Sequence, residues 1–282
     1  MTIHEALATA RLRVDAVDAR VLLAALLGRD AAYLIAHRED RLTPEQALTY
    51  GTWIARRMAG EPVAYIAGCR EFYGRMFRVT PDVLIPRPET ELLVDVALQL
   101  LRGLQAPRAL DVGSGSGCIA LTLAAECAGA HVTGVDVSEA ALAVARANAA
   151  ALELPHVEWR VSDWFSALEG ARYDAIVSNP PYIAGDDAHL KQGDLRCEPR
   201  SALTPGGDGL AAIRHIVRDA PRHLSPGGWL YFEHGYDQGA ACRALLEECS
   251  YAAIATHRDL AGIERVSGGR RPERLTLLCR KS

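Results

Sequence analysis

The sequence predicts an α/β protein: a doubly wound, mostly parallel sheet preceded by a small all-helical domain. Three observations carry that expectation. From residue 108 onward, short apolar runs alternate with stretches of helical spacing, the pattern of strands joined by crossover helices. Residues 1–70 carry helical spacing alone. A chain of 282 residues, 49% hydrophobic, can also fill one large core and a smaller one. The expected division is 1–70 helical, 71–107 a hairpin linker with a connecting helix, and 108–282 the sheet domain.

Within the helical part, "VDARVLLAALLGRD" sets Val17, Val21, Leu22, Ala25 and Leu26 on one face, and Gly28 ends the helix. "LTPEQALTYGTWIARRMAG" opens with Thr43 as N-cap, Pro44 at the first helical position and Glu45 in the first turn. Its apolar face runs through Ala47, Tyr50, Ile54 and Met58 until Gly60 stops it. Such a bundle suits either a cap on the larger domain or a module that docks a partner. "EFYGRMFRVTPDVLIPRP" then alternates, turns at Thr80-Pro81-Asp82 and ends in two spaced prolines, which reads as a short hairpin and linker. Helical spacing returns in "ETELLVDVALQLL".

The sheet domain opens with strand "RALDVG" and helix "CIALTLAAE", followed by strand "HVTGVDV" and helix "SEAALAVARANAAAL". Strands "VEWRVSD" and "YDAIVSNPPY" come next, then a helix around "GLAAIRHIVRDAPRHL" and the strand in "GGWLYFEHG". Helix "GAACRALLEECS" and strands near "YAAIATHRD" and "RLTLLCR" complete the pattern. Ligands of such sheets sit at the carboxyl ends of the strands, beside the switch in strand order. The strand ends are therefore where function is to be sought.

Composition narrows the classes. A net charge of −4 offers no global attraction to nucleic acid, and none is expected as a partner. The chain has no run of ~18 apolar residues and no charged-then-apolar leader, so a soluble, cytoplasmic protein without membrane association is expected. Seven cysteines without a C-x-x-C pair suit free thiols in a reducing compartment, and nine histidines show no metal spacing. Metal-free chemistry is expected.

The first strand runs into "LDVGSGSGCIA", with Asp111, Gly113, Ser114, Gly115, Ser116 and Gly117. Glycines between strand and helix allow a tight turn and close approach of a ligand to the backbone. The spacing is G-x-G-x-G rather than the dinucleotide G-x-G-x-x-G, and an acid before the loop suits a ligand amine better than a phosphate. S-adenosylmethionine has such an amine and no phosphate. Asp136, ending the second strand, can accept two ribose hydroxyls, while Ser138 is better placed to cap the helix that follows. Asp163 and Trp164, ending the third, suit the adenine amino group and ring. Asn179 ends the fourth strand in the turn Asn179-Pro180-Pro181-Tyr182. The Asn179 side-chain oxygen and the Pro180 carbonyl can together accept both hydrogens of a planar –NH2 group. Neither proline has an N–H, and Tyr182 offers a ring on which a planar amide or base can stack. Glu233 and His234 could form an acid/base pair, but a structural role at the strand end has more weight.

"NPPY" with "DVGSGSG", "VDVS" and "SDW" resembles the class I adenosylmethionine-dependent methyltransferases with a Rossmann-like sheet that act on planar amino groups. "EFYGRMFRVTPDVLIPRPETELLVD", "CEPRSALTPGGDGLAAI" and "HRDLAGIERVSGG" are similar to the PrmC/HemK family, and the likeness covers essentially the whole chain. That resemblance implies methylation of N5 of the glutamine in the Gly-Gly-Gln motif of class I peptide-chain release factors. It also implies that Gly113 to Gly117, Asp136, Trp164 and Asn179 contact the cofactor and that residues 179–182 hold the glutamine. Two rivals remain at this point: an adenine-N6 methyltransferase acting on nucleic acid, and a translation-factor-binding protein with a dead cofactor site.

Overall fold

The computed structural model describes residues 1–271. Five helices come first: α1 (Ile3–Ala10), α2 (Ala16–Leu27), α3 (Ala31–Ala36), α4 (Pro44–Met58) and α5 (Val63–Ala67). The starts of α1 and α4 are written locally. Thr2 and Glu5 exchange side-chain and backbone hydrogen bonds in a capping box, as do Thr43 and Gln46, with Pro44 at the first position of α4. Gly28, with φ +61°, ends α2 as expected. Ile3, Leu7, Leu22, Leu23, Tyr50, Ile54 and Ile66 form a core of their own.

Two face assignments need correction. On α2 the buried residues are Ala19, Leu22 and Leu23, whereas Val17 and Val21 are 53% and 43% exposed. The segment is apolar on nearly every side, so spacing alone admits more than one inward face. Met58 is likewise exposed, because the buried stripe of α4 ends at Ile54.

Next come β1 (Cys69–Phe72) and β2 (Arg75–Arg78), an antiparallel hairpin. It turns at Tyr73 and Gly74, with φ of +52° and +72°, rather than at Thr80–Asp82. A two-residue hairpin loop favours positive φ at both positions, which Gly74 permits and Pro81 does not. Thr80 to Val83 instead form a separate turn, closed by the Val83 N–H donating to the Thr80 carbonyl at 3.1 Å.

Besides short 3-10 turns, the chain continues with α6 (Glu91–Leu101), β3 (Arg108–Val112), α7 (Cys118–Glu126), β4 (His131–Asp136), α8 (Glu139–Ala151), β5 (Glu158–Val161) and β6 (Tyr173–Ser178). They continue through α9 (Arg200–Leu203), α10 (Ala211–Asp219), β7 (Leu224–Glu233), α11 (Gly239–Glu248), β8 (Ala252–Arg258) and β9 (Glu264–Arg270). The seven strands order as β5-β4-β3-β6-β7-β9-β8, parallel except where β9 pairs antiparallel with β7 and β8. Strand order reverses between β3 and β6, as the doubly wound pattern requires. Alternate strand residues face two cores. One joins Ala109, Val132 and Val177 to α6 and α7; the other joins Leu110, Val135 and Ile176 to α10 and α11.

The sequence pattern does not predict strand β9. Its "ERVSGGR" lacks an apolar run, but Gly268 is demanded by packing: a Cβ there would lie 2.1 Å from the Leu230 carbonyl oxygen of the neighbouring strand. The strand expected near "RLTLLCR" lies outside the described residues.

Candidate active site

A cavity of about 360 Å³ lies where strand order switches, walled by residues that follow β3, β4, β5 and β6. After β3 the chain turns sharply, and the N–H groups of Gly113 and Ser114 both donate to the Val135 carbonyl at 2.9 Å. Gly113 and Gly115 have φ of +76° and +52°, line the cavity, and would point a Cβ into open space. Gly117 has another task. At φ +79° it caps α7 away from the cavity wall, and a Cβ there would lie 2.7 Å from the Trp159 ring. Ser114 and Ser116 are buried and line the cavity.

Asp111 is fully buried and is not on the wall. Its Oδ2 accepts from the Ala120 N–H at 3.2 Å, while Oδ1 has no partner. Burial pushes the carboxyl up to about 7. Asp136 lines the cavity half-buried, its two oxygens accepting from the Gly115 and Ser138 N–H groups at 2.9 Å each. Helix α8 is capped by Ser138, as expected, through the Ala141 N–H at 3.1 Å. Asp163 and Trp164 line the cavity beyond β5. Trp164 has φ +51°, a conformation bulky side chains avoid; the buried Ser162 hydroxyl donates to the Trp164 carbonyl at 2.9 Å and accepts from the Ala167 N–H at 3.0 Å.

Asn179 and Pro181 reach the same cavity, whereas Pro180 and Tyr182 do not line it. The turn is wired to its surroundings by polar contacts. Asn179 Nδ2 donates to Thr90 Oγ1 at 3.0 Å, Thr90 Oγ1 donates to Glu233 Oε2 at 2.6 Å, and the Tyr182 hydroxyl donates to Glu233 Oε1 at 2.8 Å. Gln238 Nε2 donates to the Tyr182 carbonyl at 2.9 Å. Burial pushes the Glu233 carboxyl up, opposed by the two hydroxyl donors and by the charge of Arg265. Burial pushes the Tyr182 hydroxyl up as well, with Glu233 adding to it. His234 is buried, its ring nitrogens 2.9 Å from the Gly235 carbonyl and 2.8 Å from Ser267 Oγ. Neither Glu233 nor His234 lines the cavity.

The facing wall comes from residues 81–90, which the spacing marks only as a linker. Pro81, Val83, Leu84, Pro86, Arg87 and Thr90 all line the cavity. Glu198 holds this segment from the far side: its buried carboxylate accepts from the Ile85 N–H at 2.9 Å and pairs with Arg87. Thr90, Glu198 and Ser162 carry no signal in the sequence that marks them as site residues, and Glu233 takes the structural role that its strand end suggests, accepting from Thr90 and Tyr182. The two spaced prolines were the one signal that residues 81–90 take a fixed path. The donor set fits adenosylmethionine. An orphaned buried carboxylate oxygen, two glycines open to the cavity, a wall carboxylate and an indole match an amine, a ribose and a purine.

Residues 3–68 match the PrmC N-terminal domain family, and residues 89–211 match the Methyltransferase small domain family. The release factor glutamine methyltransferase of Bordetella pertussis is 54% identical over 254 residues, spanning 90% of this chain and 94% of that protein. Its counterpart in Burkholderia pseudomallei is 51% identical, spanning 92% and 93%. The chain belongs to the release factor glutamine methyltransferase family. A T. thermophilus 16S rRNA N2 G1207 methyltransferase, solved with AdoMet and guanosine, superposes with a TM-score of 0.52 at 25% identity, covering 72% of this chain and 49% of that one. The sheet of this release factor glutamine methyltransferase family member is thus of the class I methyltransferase type, and its cavity lies at the switch point. Its two domain matches leave residues 69–88 between them, and most of the facing wall falls in that gap.

Proposed function

We infer that this chain transfers the methyl group of S-adenosylmethionine to N5 of the glutamine side chain in the Gly-Gly-Gln motif of class I peptide-chain release factors, and so acts in translation termination. One observation carries the reading: in a chain of this family, Asn179 and Pro181 share a cavity wall with Gly113, Gly115, Asp136 and Trp164.

In this reading Gly113 and Gly115 admit the methionine end of the cofactor against bare backbone. Asp111 places negative potential beneath its amine, Asp136 accepts from the ribose, and Asp163 with Trp164 meets the adenine. S-adenosylmethionine, when bound, supplies an electrophilic methyl group on a sulfonium. The protein must then improve a poor nucleophile, because an amide nitrogen shares its lone pair with its carbonyl. Asn179 Oδ1 and the Pro180 carbonyl accept the two N–H bonds and so orient the nitrogen. The same acceptors stabilise the positive charge that develops on it during transfer. No strong base is required, since the proton can leave afterwards. Glu233 fits that economy, with both oxygens already occupied by hydroxyl donors.

Labelled methyl transfer tests the reading. The intact protein should label a purified class I release factor and fail to label one whose Gly-Gly-Gln glutamine is replaced. Asn179→Ala should lower the single-turnover rate by about 10²–10³, the scale for one preorganised contact to developing charge. Its cofactor affinity, by calorimetry, should stay close to wild type. A wild-type rate in the folded Asn179→Ala protein would remove the turn from the mechanism. Transfer to DNA instead of release factor would replace the substrate, and cofactor binding without any transfer would mark a dead site.

A further inference from the structure

We propose that Thr90 and Glu233 form a hydrogen-bond relay that decides which end of the Asn179 amide faces the cavity, making both positioning residues for the methyl acceptor. The proposal rests on the glutamine-methylation reading and assigns residues through which that site is set.

The argument counts protons. Two hydroxyl donors and the charge of Arg265 oppose the effect of burial on Glu233, and in its ionised form that carboxylate has no proton to give, so the 2.6 Å contact between Glu233 Oε2 and Thr90 Oγ1 uses the single Thr90 hydroxyl proton. Thr90 then has only lone pairs left for Asn179. At 3.0 Å, its partner must be the Asn179 –NH2 group, and the oxygen is left for the cavity that Asn179 lines. An Asn amide is nearly the same shape whichever way it is turned, so packing alone does not tell its ends apart. The distinction matters because a substrate carboxamide brings two N–H donors. An Asn179 turned the other way would meet them with two more.

The second Glu233 oxygen completes the device. It accepts from the Tyr182 hydroxyl at 2.8 Å, so one carboxylate holds the first residue of the turn through Thr90 and the last directly. Glu233 and Thr90 are 1% and 2% exposed, so no water competes for these bonds. Gln238, which fixes the Tyr182 carbonyl at 2.9 Å, leaves the turn little freedom to move away. The anchors lie on two segments far from the turn in sequence, Thr90 on one and Glu233 with Gln238 on the other, and meet it through the parallel pairing of β6 and β7 and the docking of residues 81–90.

The test is a double-mutant cycle on the intact protein, read by single-turnover transfer from tritiated S-adenosylmethionine to a purified class I release factor. Thr90→Val removes the hydroxyl at constant shape and should slow transfer by about 10–100-fold, the loss of one charge-assisted hydrogen bond. Cofactor affinity should change by less than about threefold, and Thr90→Ser should keep most of the rate. In an Asn179→Asp background the two ends of the side chain are equivalent, so Thr90→Val should cost less than about threefold there. A purely structural Thr90 would instead slow both backgrounds equally. Equal losses, or a wild-type rate in Thr90→Val, would overturn the relay. If Thr90→Val fails to bind cofactor, Thr90→Ala, which adds no bulk, takes its place in the same cycle. No transfer by the wild-type chain would overturn the glutamine-methylation reading and the relay with it, whereas transfer with equal losses would sink the relay alone.

Discussion

Asp111 is where function and stability pull apart in a single side chain. It is fully buried, one oxygen lacks a partner, and its carboxyl is pushed up to about 7, by burial first and by the nearby charge of Asp136 last. The unfolded chain releases this proton near the ordinary value of ~3.9. Between roughly pH 4 and 7 the folded protein therefore holds a proton that the unfolded chain has lost. Its contribution to stability is complete in acid and is lost as pH rises through 7, at about 1.4 kcal/mol per unit within that window. Asp111→Asn mimics the protonated form. The variant should melt several degrees above wild type at pH 8, with the gap narrowing steadily toward pH 4. We also expect weaker adenosylmethionine binding, since the counter-charge for the amine is gone. A melting difference that does not depend on pH would show that the Asp111 carboxyl is not desolvated.

The loop between β3 and α7 divides its glycines between two jobs, and substitution should separate them. Gly115→Ala accepts left-handed strain of about 1–2 kcal/mol but points its methyl into the cavity. It should fold and lose adenosylmethionine binding. Gly117→Ala has the same strain, and its methyl lies 2.7 Å from Trp159 and 3.1 Å from Ala145. Trp159 cannot retreat easily, because its ring also packs over Gly134. Overpacking adds about 1–3 kcal/mol, so the main effect should be a lower melting temperature. Thermal melts with calorimetry distinguish the two, and normal binding by Gly115→Ala would take the loop out of the site. Motif spacing revealed all three glycines as a ligand loop; only the neighbour across β5 shows that Gly117 serves packing. Asn148 was equally hidden. Near the C-terminal end of α8, its Nδ2 donates to the carbonyls of Ser116 at 2.9 Å and Arg78 at 3.0 Å while its Oδ1 accepts from the Arg78 N–H at 2.7 Å, tying hairpin to loop.

Across the whole molecule, the helical domain is fastened to the segments that border the cavity. Arg57 pairs with Asp18 at 2.6 Å within the bundle and with Asp194 at 2.8 Å in the segment that follows the NPPY turn. Helix α5 serves both sides: Ile66 packs in the bundle core, while Ala64 and Tyr65 pack with Val79, Val83 and Ile85, and the Tyr65 hydroxyl donates to the Val83 carbonyl at 2.7 Å. A cut at residue 70 would remove that support from the cavity wall. We propose that the bundle docks the release factor, because a Gly-Gly-Gln loop fills only a fraction of the ~1,600 Å² typical of a specific protein interface. Deleting residues 1–60, which spares α5, should leave adenosylmethionine affinity nearly intact and sharply reduce methylation of whole release factor. Normal methylation by the folded truncation would refute docking, and loss of cofactor binding would assign the bundle to scaffolding.

What the sequence determined by itself was local. The helix cap at Thr43, strand–helix alternation, the glycine loop and the NPPY turn each depend on residues a few positions apart, where propensity and spacing act directly. Tertiary structure alone decided the rest. The inward face of α2, the pairing of β9, the folding of residues 81–90 over the cavity and the Asn179–Thr90–Glu233 relay all join residues distant along the chain. A buried polar group must find a partner wherever the fold brings one near, and no local pattern encodes where that will be.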